Sequence, residues 1–140
     1  MQMQDKIAFV TGAGRGIGRA VCRELLQRGA AGVVIADLDG ATARATAAEL
    51  GGLGLQCDVS DEAAVQAAVA TAIAHYGRVD VLLSNAGFGA TELDLDDALA
   101  EPNDLWARMW QVHVMAHVYA SRAVLPGMLE RGEGYLVNVA

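Results

Sequence analysis

A chain of 140 residues, 54% hydrophobic and 19% charged, is about one domain long and can bury roughly two-thirds of its unfolded surface around one core, which excludes a disordered chain. Its net charge of −7, with Lys6 the only lysine and the arginines scattered, excludes nucleic acid as a main partner, because phosphate backbones need a basic patch. No apolar run approaches the roughly 20 residues of a membrane span and the start, MQMQDK, lacks a leader pattern, so a soluble, cytoplasmic protein with no membrane partner is expected.

The first predicted element is a strand, Ile7-Ala8-Phe9-Val10, followed by the turn Thr11 to Gly18, TGAGRGIG, and by a helix that Gly29 ends. Such a turn leaves backbone N–H groups at the helix start unpaired, and the helix dipole adds about half a positive charge there, so an anion such as a pyrophosphate is favoured. The literal G-x-G-x-x-G spacing is absent, since Ile17 stands where its third glycine would fall. The roles can still be assigned: Gly12 for the tight exit from the strand, Gly16 for backbone approach to phosphate, and Gly18, after Ile17, for close helix packing, with Gly14 extra.

A short apolar run, Val33 to Ala36, reads as a strand covered on both faces, and Asp37 closes it beside Leu38. Asp39 and Gly40 start an alanine-rich helix through about Leu50, and Gly51-Gly52 precede a third strand, Leu53 to Cys57. Asp58-Val59 follow, then Ser60 as N-cap of a helix whose apolar face runs from Val65 to Tyr76 and which Gly77 ends. A fourth strand, Val79 to Leu83, leads into Ser84-Asn85-Ala86-Gly87 and an acidic loop from about Phe88 to Glu101.

Pro102 suits the first turn of a long helix to about Arg131, marked by Trp106, Met109, Val112, His113, Ala116, Ala120, Ala123 and Val124, with Pro126 placed to kink its end. Tyr135 to Val139 form a fifth strand. Alternating strands and helices imply a doubly wound parallel sheet of Rossmann-like form, ordered 3-2-1-4-5, in a single dinucleotide-binding domain over residues 1–140.

Asp37 lies 19 residues after Gly18 at a strand end, where a carboxylate can accept hydrogen bonds from adenosine ribose hydroxyls; a turn or helix cap is the plainer alternative. The same carboxylate repels a 2′-phosphate and so favours NAD over NADP, whereas Arg15 pulls toward NADP because a guanidinium can pair with that phosphate. Cys22 and Cys57 are too few for a disulfide framework or a zinc site and read as small buried thiols. No histidine pair has metal-ligand spacing with a third ligand evident, so no metal is expected.

Taken together, these motifs resemble the short-chain dehydrogenase/reductase family over essentially the whole chain. TGAGRGIG is similar to its TGxxxGIG cofactor turn, Asp37 to its acidic NAD-selecting position, Asp58-Val59 to its adenine-contacting pair, and Ser84-Asn85-Ala86-Gly87 to its NNAG motif, with Ser84 replacing the first Asn. The resemblance implies that Asp58 bonds the adenine amino group while Val59 packs nearby, and that Asn85, Ala86 and Gly87 line the adenosine ribose side and brace the central strand. His113 stands at the family's catalytic Asn position and departs from it; an imidazole there can support the helix backbone or a water relay, or simply be a packed histidine. His75 and His117 read as structural or solvent-facing.

The family's serine after VNVA and its Tyr-x-x-x-Lys pair are not found: Tyr76, Tyr119 and Tyr135 are followed four residues later by Asp80, Ala123 and Val139. The resemblance therefore implies the N-terminal, cofactor-binding portion of an oxidoreductase, ending before the family's last strands and helices. Complete, it would move hydride between NAD or NADP and a small-molecule alcohol or carbonyl, with a homo-oligomer contact through the long helix near 103–131. Two other readings are a non-catalytic nucleotide-binding or interaction fragment and an S-adenosylmethionine methyltransferase. The last fits less well, because Thr11 precedes Gly12 where an acid is usual and Ser84-Asn85-Ala86-Gly87 has no counterpart.

Overall fold

In the computed structural model, which describes residues 2–89 and 102–139, the apolar run Ile7–Thr11 forms β1, buried at every position. It pairs in parallel with β2 (Gly32–Asp37) on one side and β4 (Val81–Ser84) on the other, in register from Ile7 opposite Gly32 to Thr11 opposite Ala36. β3 (Leu53–Gln56) extends the sheet beyond β2 and β5 (Tyr135–Asn138) beyond β4, giving the order β3-β2-β1-β4-β5 that the alternating pattern predicts. The acidic loop expected over Phe88–Glu101 falls mostly outside the described residues.

Side chains alternate across the sheet, so each strand feeds two cores. Phe9, Val34 and Leu82 pack with Val65, Val69 and Ala72 of α3 (Glu62–Tyr76) and with Ala120 and Val124 of the last helix. Ala8, Val10, Val33 and Ile35 face the opposite layer, with Cys22 of α1 (Gly16–Gln27) and Ala43 and Ala47 of α2 (Gly40–Leu50).

Caps explain the helix starts. Asp39 accepts from the amides of Ala41 and Thr42, as expected at the head of α2. For α3 the cap is Asp61, not Ser60: its carboxylate accepts from Ala63 and Ala64, while Ser60 is held by Asp58, whose Oδ1 accepts from the Ser60 amide at 3.0 Å and hydroxyl at 2.6 Å. α1 has no side-chain cap, so its leading amides stay available.

The predicted long helix is interrupted. α4 (Asn103–Trp110) passes through a π-helical turn, Gln111–Met115, into α5 (Ala116–Arg131), and Pro102 precedes the first turn rather than entering it. The widened turn adds a residue to the helical circuit and shifts the phase of everything after it. The buried stripe accordingly begins only at Ala116 and continues through Ala120, Val124 and Met128, past Pro126, while Trp106 and Trp110 are more than half exposed.

At the opposite end of the sheet from the strand C-termini, Asp80 is buried and its Oδ2 accepts from the Ile7 amide at 2.8 Å and Arg78 Nε at 3.0 Å. Regular pairing of β4 starts at Val81, one residue after this anchor and two after the predicted Val79. Among the described residues no helix is long and apolar enough to cross a membrane.

Both cysteines are buried as free thiols. Burial pushes Cys22 up to about 12, and burial with the charges of Asp58 and Asp61 pushes Cys57 up to about 11, from an ordinary 9.0. The folded state thus favours neutral thiols, whereas the unfolded chain releases these protons near its lower value. The contribution of the two thiols should be flat below about pH 9 and fall as pH rises from there toward 11 and 12, each thiol contributing at most about 1.4 kcal/mol for every pH unit that separates its unfolded and folded titrations. Urea midpoints at pH 7, 8 and 10 check this, and labelling by a thiol reagent at pH 8 at the rate of a free cysteine would contradict it.

Candidate cofactor site

The strand C-termini open on a cleft of about 320 Å³, close to the small end of ligand pockets (roughly 300–1,000 Å³). It lies above β1 and β4, where the strand order reverses and an open α/β sheet leaves a crevice. Four separate segments reach it: Gly12 and Arg15 after β1, Asp37 and Leu38 at the end of β2, Cys57 to Ser60 after β3, and Asn85 to Phe88 after β4. Arg108 and Val112, four residues apart and so on one helical face, close it from the helix beyond.

The first and last of these segments are joined by Thr11. Its Oγ1 accepts from the amides of Asn85 and Ala86, both at 3.0 Å, and Asn85 Nδ2 donates to the carbonyls of Thr11 at 3.1 Å and Gly12 at 3.3 Å. The approach is close enough to need glycine: Gly12 has φ +63°, and a Cβ there would lie 2.8 Å from Ala86 Cα. A Cβ on Gly18 would strike the Gly12 carbonyl and stand 2.9 Å from Asn85 Nδ2, which is the tight helix packing expected of it. Gly16 has φ +55° and nothing within 4 Å of where a Cβ would be, so its backbone faces open space. Neither Gly16, Ile17 nor Gly18 lines the cleft itself, and Ile17 is 71% exposed.

Asp37 serves the turn and the cleft together. Its Oδ2 accepts from the Gly14 amide at 2.9 Å and its Oδ1 from the Asp39 amide at 3.1 Å, which fixes the carboxylate at the rim with lone pairs to spare. Gly14, which the glycine spacing leaves without a role, is the seat of this arrangement: a Cβ there would lie 2.9 Å from Asp37 Oδ2, and its carbonyl accepts from Thr46 Oγ1 at 2.7 Å. Asp58 likewise pins Ser60 while lining the cleft, beside buried Val59. Arg15 lines the same rim, and its charge is the smallest of the influences that hold Asp39 below the usual carboxylate range, led by the Thr42 hydroxyl and amide.

His113 does not line the cleft; its neighbour Val112 does. The ring sits on the Phe88 peptide, with Nε2 2.8 Å from the carbonyl oxygen and 3.3 Å from the amide nitrogen, the tautomer deciding which is bonded. His117, expected to be structural or solvent-facing, has Nδ1 2.7 Å from Ser84 Oγ. The Arg108 guanidinium stands 5.1 Å from the Phe88 ring centroid, within cation–π range. Thr11 and Gly14 belong to the TGAGRGIG turn, but nothing in that motif announces their bonds to Asn85 and Asp37; Phe88 and Arg108 carry no motif, and only the spacing of Arg108 from Val112 hints at a shared face. No group of three potential metal ligands occurs among the described residues.

A family profile described as "short chain dehydrogenase" matches residues 6–140. The chain belongs to the short-chain dehydrogenase/reductase family. It is 36% identical over 148 residues to D-threitol dehydrogenase of Mycolicibacterium smegmatis, covering 99% of this chain and 54% of that protein. It is 35% identical over 141 residues to a 3-oxoacyl-(acyl-carrier-protein) reductase of Vibrio harveyi, covering 99% and 56%. Among solved structures, 3-ketoacyl-(acyl-carrier-protein) reductase from Brucella melitensis, complexed with NADH, superposes with a TM-score of 0.90 at 33% identity, covering 99% of this chain and 58% of that one. This short-chain dehydrogenase/reductase chain thus spans about half the length of the relatives it matches, and its kinship separates it from the methyltransferases.

Proposed function

We propose that the cleft binds a nicotinamide dinucleotide, and that the protein to which these residues belong transfers hydride between it and an alcohol or carbonyl substrate. The observation that carries this reading is the convergence of four loops, after β1, β2, β3 and β4, on one crevice built by the Thr11–Asn85 network. The residues fit the group. The uncapped start of α1 with open Gly16, in the turn Gly12 to Gly18 that includes Ile17, suits a pyrophosphate, and Asp37 with Leu38 suits the adenosine ribose. Asp58 and Val59 suit the adenine, and Asn85, Ala86 and Gly87 the ribose side.

A bound nicotinamide supplies the hydride donor or acceptor. The chain's own part is to hold and orient it and to keep the 85–88 wall in place, with His113 proposed at the family's Asn position as a support for the loop. No tyrosine in these 140 residues has a lysine four positions on, so residues 1–140 alone are proposed to bind cofactor without turning over substrate. A tyrosine with a reference pKa of about 10 needs such a cation to act as acid/base near pH 7. The cytoplasmic location and self-association through 103–131 belong to the same proposal, supported by two free thiols and by exposed Trp106, Trp110 and Leu129.

Titration with NADH and NADPH, followed by fluorescence of Trp106 and Trp110, tests the reading. Tighter binding of NADH is expected, because the Asp37 carboxylate at the cleft rim would repel a 2′-phosphate bound there, and Asp37→Ala should move the preference toward NADPH by about tenfold or more, the effect of one charge–charge contact near a protein surface. Absence of any response to either cofactor by the unmodified protein would overturn it.

A further inference from the structure

Ser84 ends β4 with its side chain buried, and its hydroxyl lies 2.7 Å from His117 Nδ1 in the first turn of α5. Four residues earlier in the helix, His113 rests on the peptide of Phe88, four residues later than Ser84. The two imidazoles form the rungs of an antiparallel pairing, 117 with 84 and 113 with 88, on one helical face. Between the rungs lie Asn85, Ala86 and Gly87, all three lining the cleft.

This span needs holding. Backbone pairing of β4 stops at Ser84, whose carbonyl accepts from the Val139 amide at 3.0 Å, and from there the segment is tied by side chains: Thr11 from the β1 side and the histidines from the helix side. The π-helical turn contains His113 and is itself braced, Tyr119 donating its hydroxyl proton to Gln111 Oε1 at 3.1 Å. A Cβ on Gly87 would lie 2.8 Å from His113 Cε1, so ring and loop are in close contact along the bracket.

We propose that His117 is a positioning residue for the cofactor: through Ser84 Oγ it fixes the end of β4 and, with His113, brackets Asn85–Gly87 in the conformation that faces the bound dinucleotide. This rests on the cofactor reading of the cleft and deepens it.

The test compares Ser84→Ala, His117→Phe, His117→Asn and the double variant Ser84→Ala/His117→Phe in the native protein, reading NADH affinity by fluorescence and melting temperature separately. Asparagine places a polar atom near that of Nδ1 and should restore the bond. Ser84→Ala and His117→Phe should each weaken NADH binding about three- to tenfold, the worth of one hydrogen bond, with the double variant no weaker than either single one and His117→Asn close to the unmodified protein. If His117→Phe does not fold, weakened binding in Ser84→Ala beside normal binding in His117→Asn decides for the bracket. Unchanged NADH affinity with only a lowered melting temperature makes the contact a helix-to-sheet staple and overturns the proposal. If the unmodified protein fails to bind NADH, the cofactor reading itself falls and this role with it.

Discussion

Replacing Gly12 with alanine should weaken NADH binding by about a hundredfold and destabilise the fold by about 3 kcal/mol, combining left-handed strain with a backbone clash. At φ +63° an L-residue is strained whatever the space, and here the added methyl would also meet Ala86 Cα at 2.8 Å and its amide nitrogen at 3.1 Å. Those are main-chain atoms, so relief requires moving either the turn or the 85–87 wall, the two sides of the cleft. Gly77→Ala separates strain from clash. Its φ is +85° but nothing lies within 4 Å, so it should cost about 1 kcal/mol and leave NADH affinity unchanged. Isothermal titration with urea denaturation of both variants measures the difference, and equal affinities would refute the role of the clash.

A loss of stability as large, about 3 kcal/mol of a total that is typically 5–15 for a domain, is expected from Asp80→Ala. The carboxylate is 2% exposed, receives the Ile7 amide and Arg78, and has Arg131 at 3.9 Å. Removing it orphans a buried amide at the head of β1 and leaves two guanidinium groups without their shared partner. The loss stays below that for a fully buried pair because both arginines keep contact with water. Arg131 retains its bond to the Val79 carbonyl at 2.7 Å, which limits the damage at the start of β4. The midpoint of urea unfolding should fall with an unchanged slope, while NADH affinity of the folded variant stays near that of the parent, since Asp80 sits at the end of the sheet away from the cleft. A hundredfold loss of binding would show that the two ends of β1 are not independent.

Much of the architecture is legible because its signals are local. Each buried strand is a run of apolar residues, and Asp39, Gly51 and Gly77 mark helix ends by chemistry that acts within a turn of where it is written. Ser60 misleads for a related reason: two capping residues stand side by side, and the choice of Asp61 depends on Asp58 having taken the serine first. The π-helical turn is invisible to a search for three- and four-residue spacing, since Val112 and His113 fit a regular helix equally well. Of the residues that line the cleft, Asp37 is marked in sequence by its strand end and its spacing from Gly18, and Asp58 and Asn85 to Gly87 by the family resemblance. The contacts of Thr11, Gly14 and Arg108 are not legible, because they reach partners 74, 23 and 20 residues away, as Thr11 with Asn85, Gly14 with Asp37 and Arg108 with Phe88 show.

The Thr11 network also bears on the order in which the chain can fold. β1, α1 and β2 make their contacts within a short stretch of chain, but Oγ1 of Thr11 meets the amides of Asn85 and Ala86 across separations of 74 and 75 residues. Closing a loop of that size is entropically unfavourable until β4 has docked on β1, so the crevice is a late product of folding rather than a scaffold for it. A molecule that occupies the crevice is then coupled to the docked sheet by mass action, adding about 2.7 kcal/mol at a hundredfold excess over its Kd. Ligand occupancy and completion of the sheet are in that sense one equilibrium, observed from two ends.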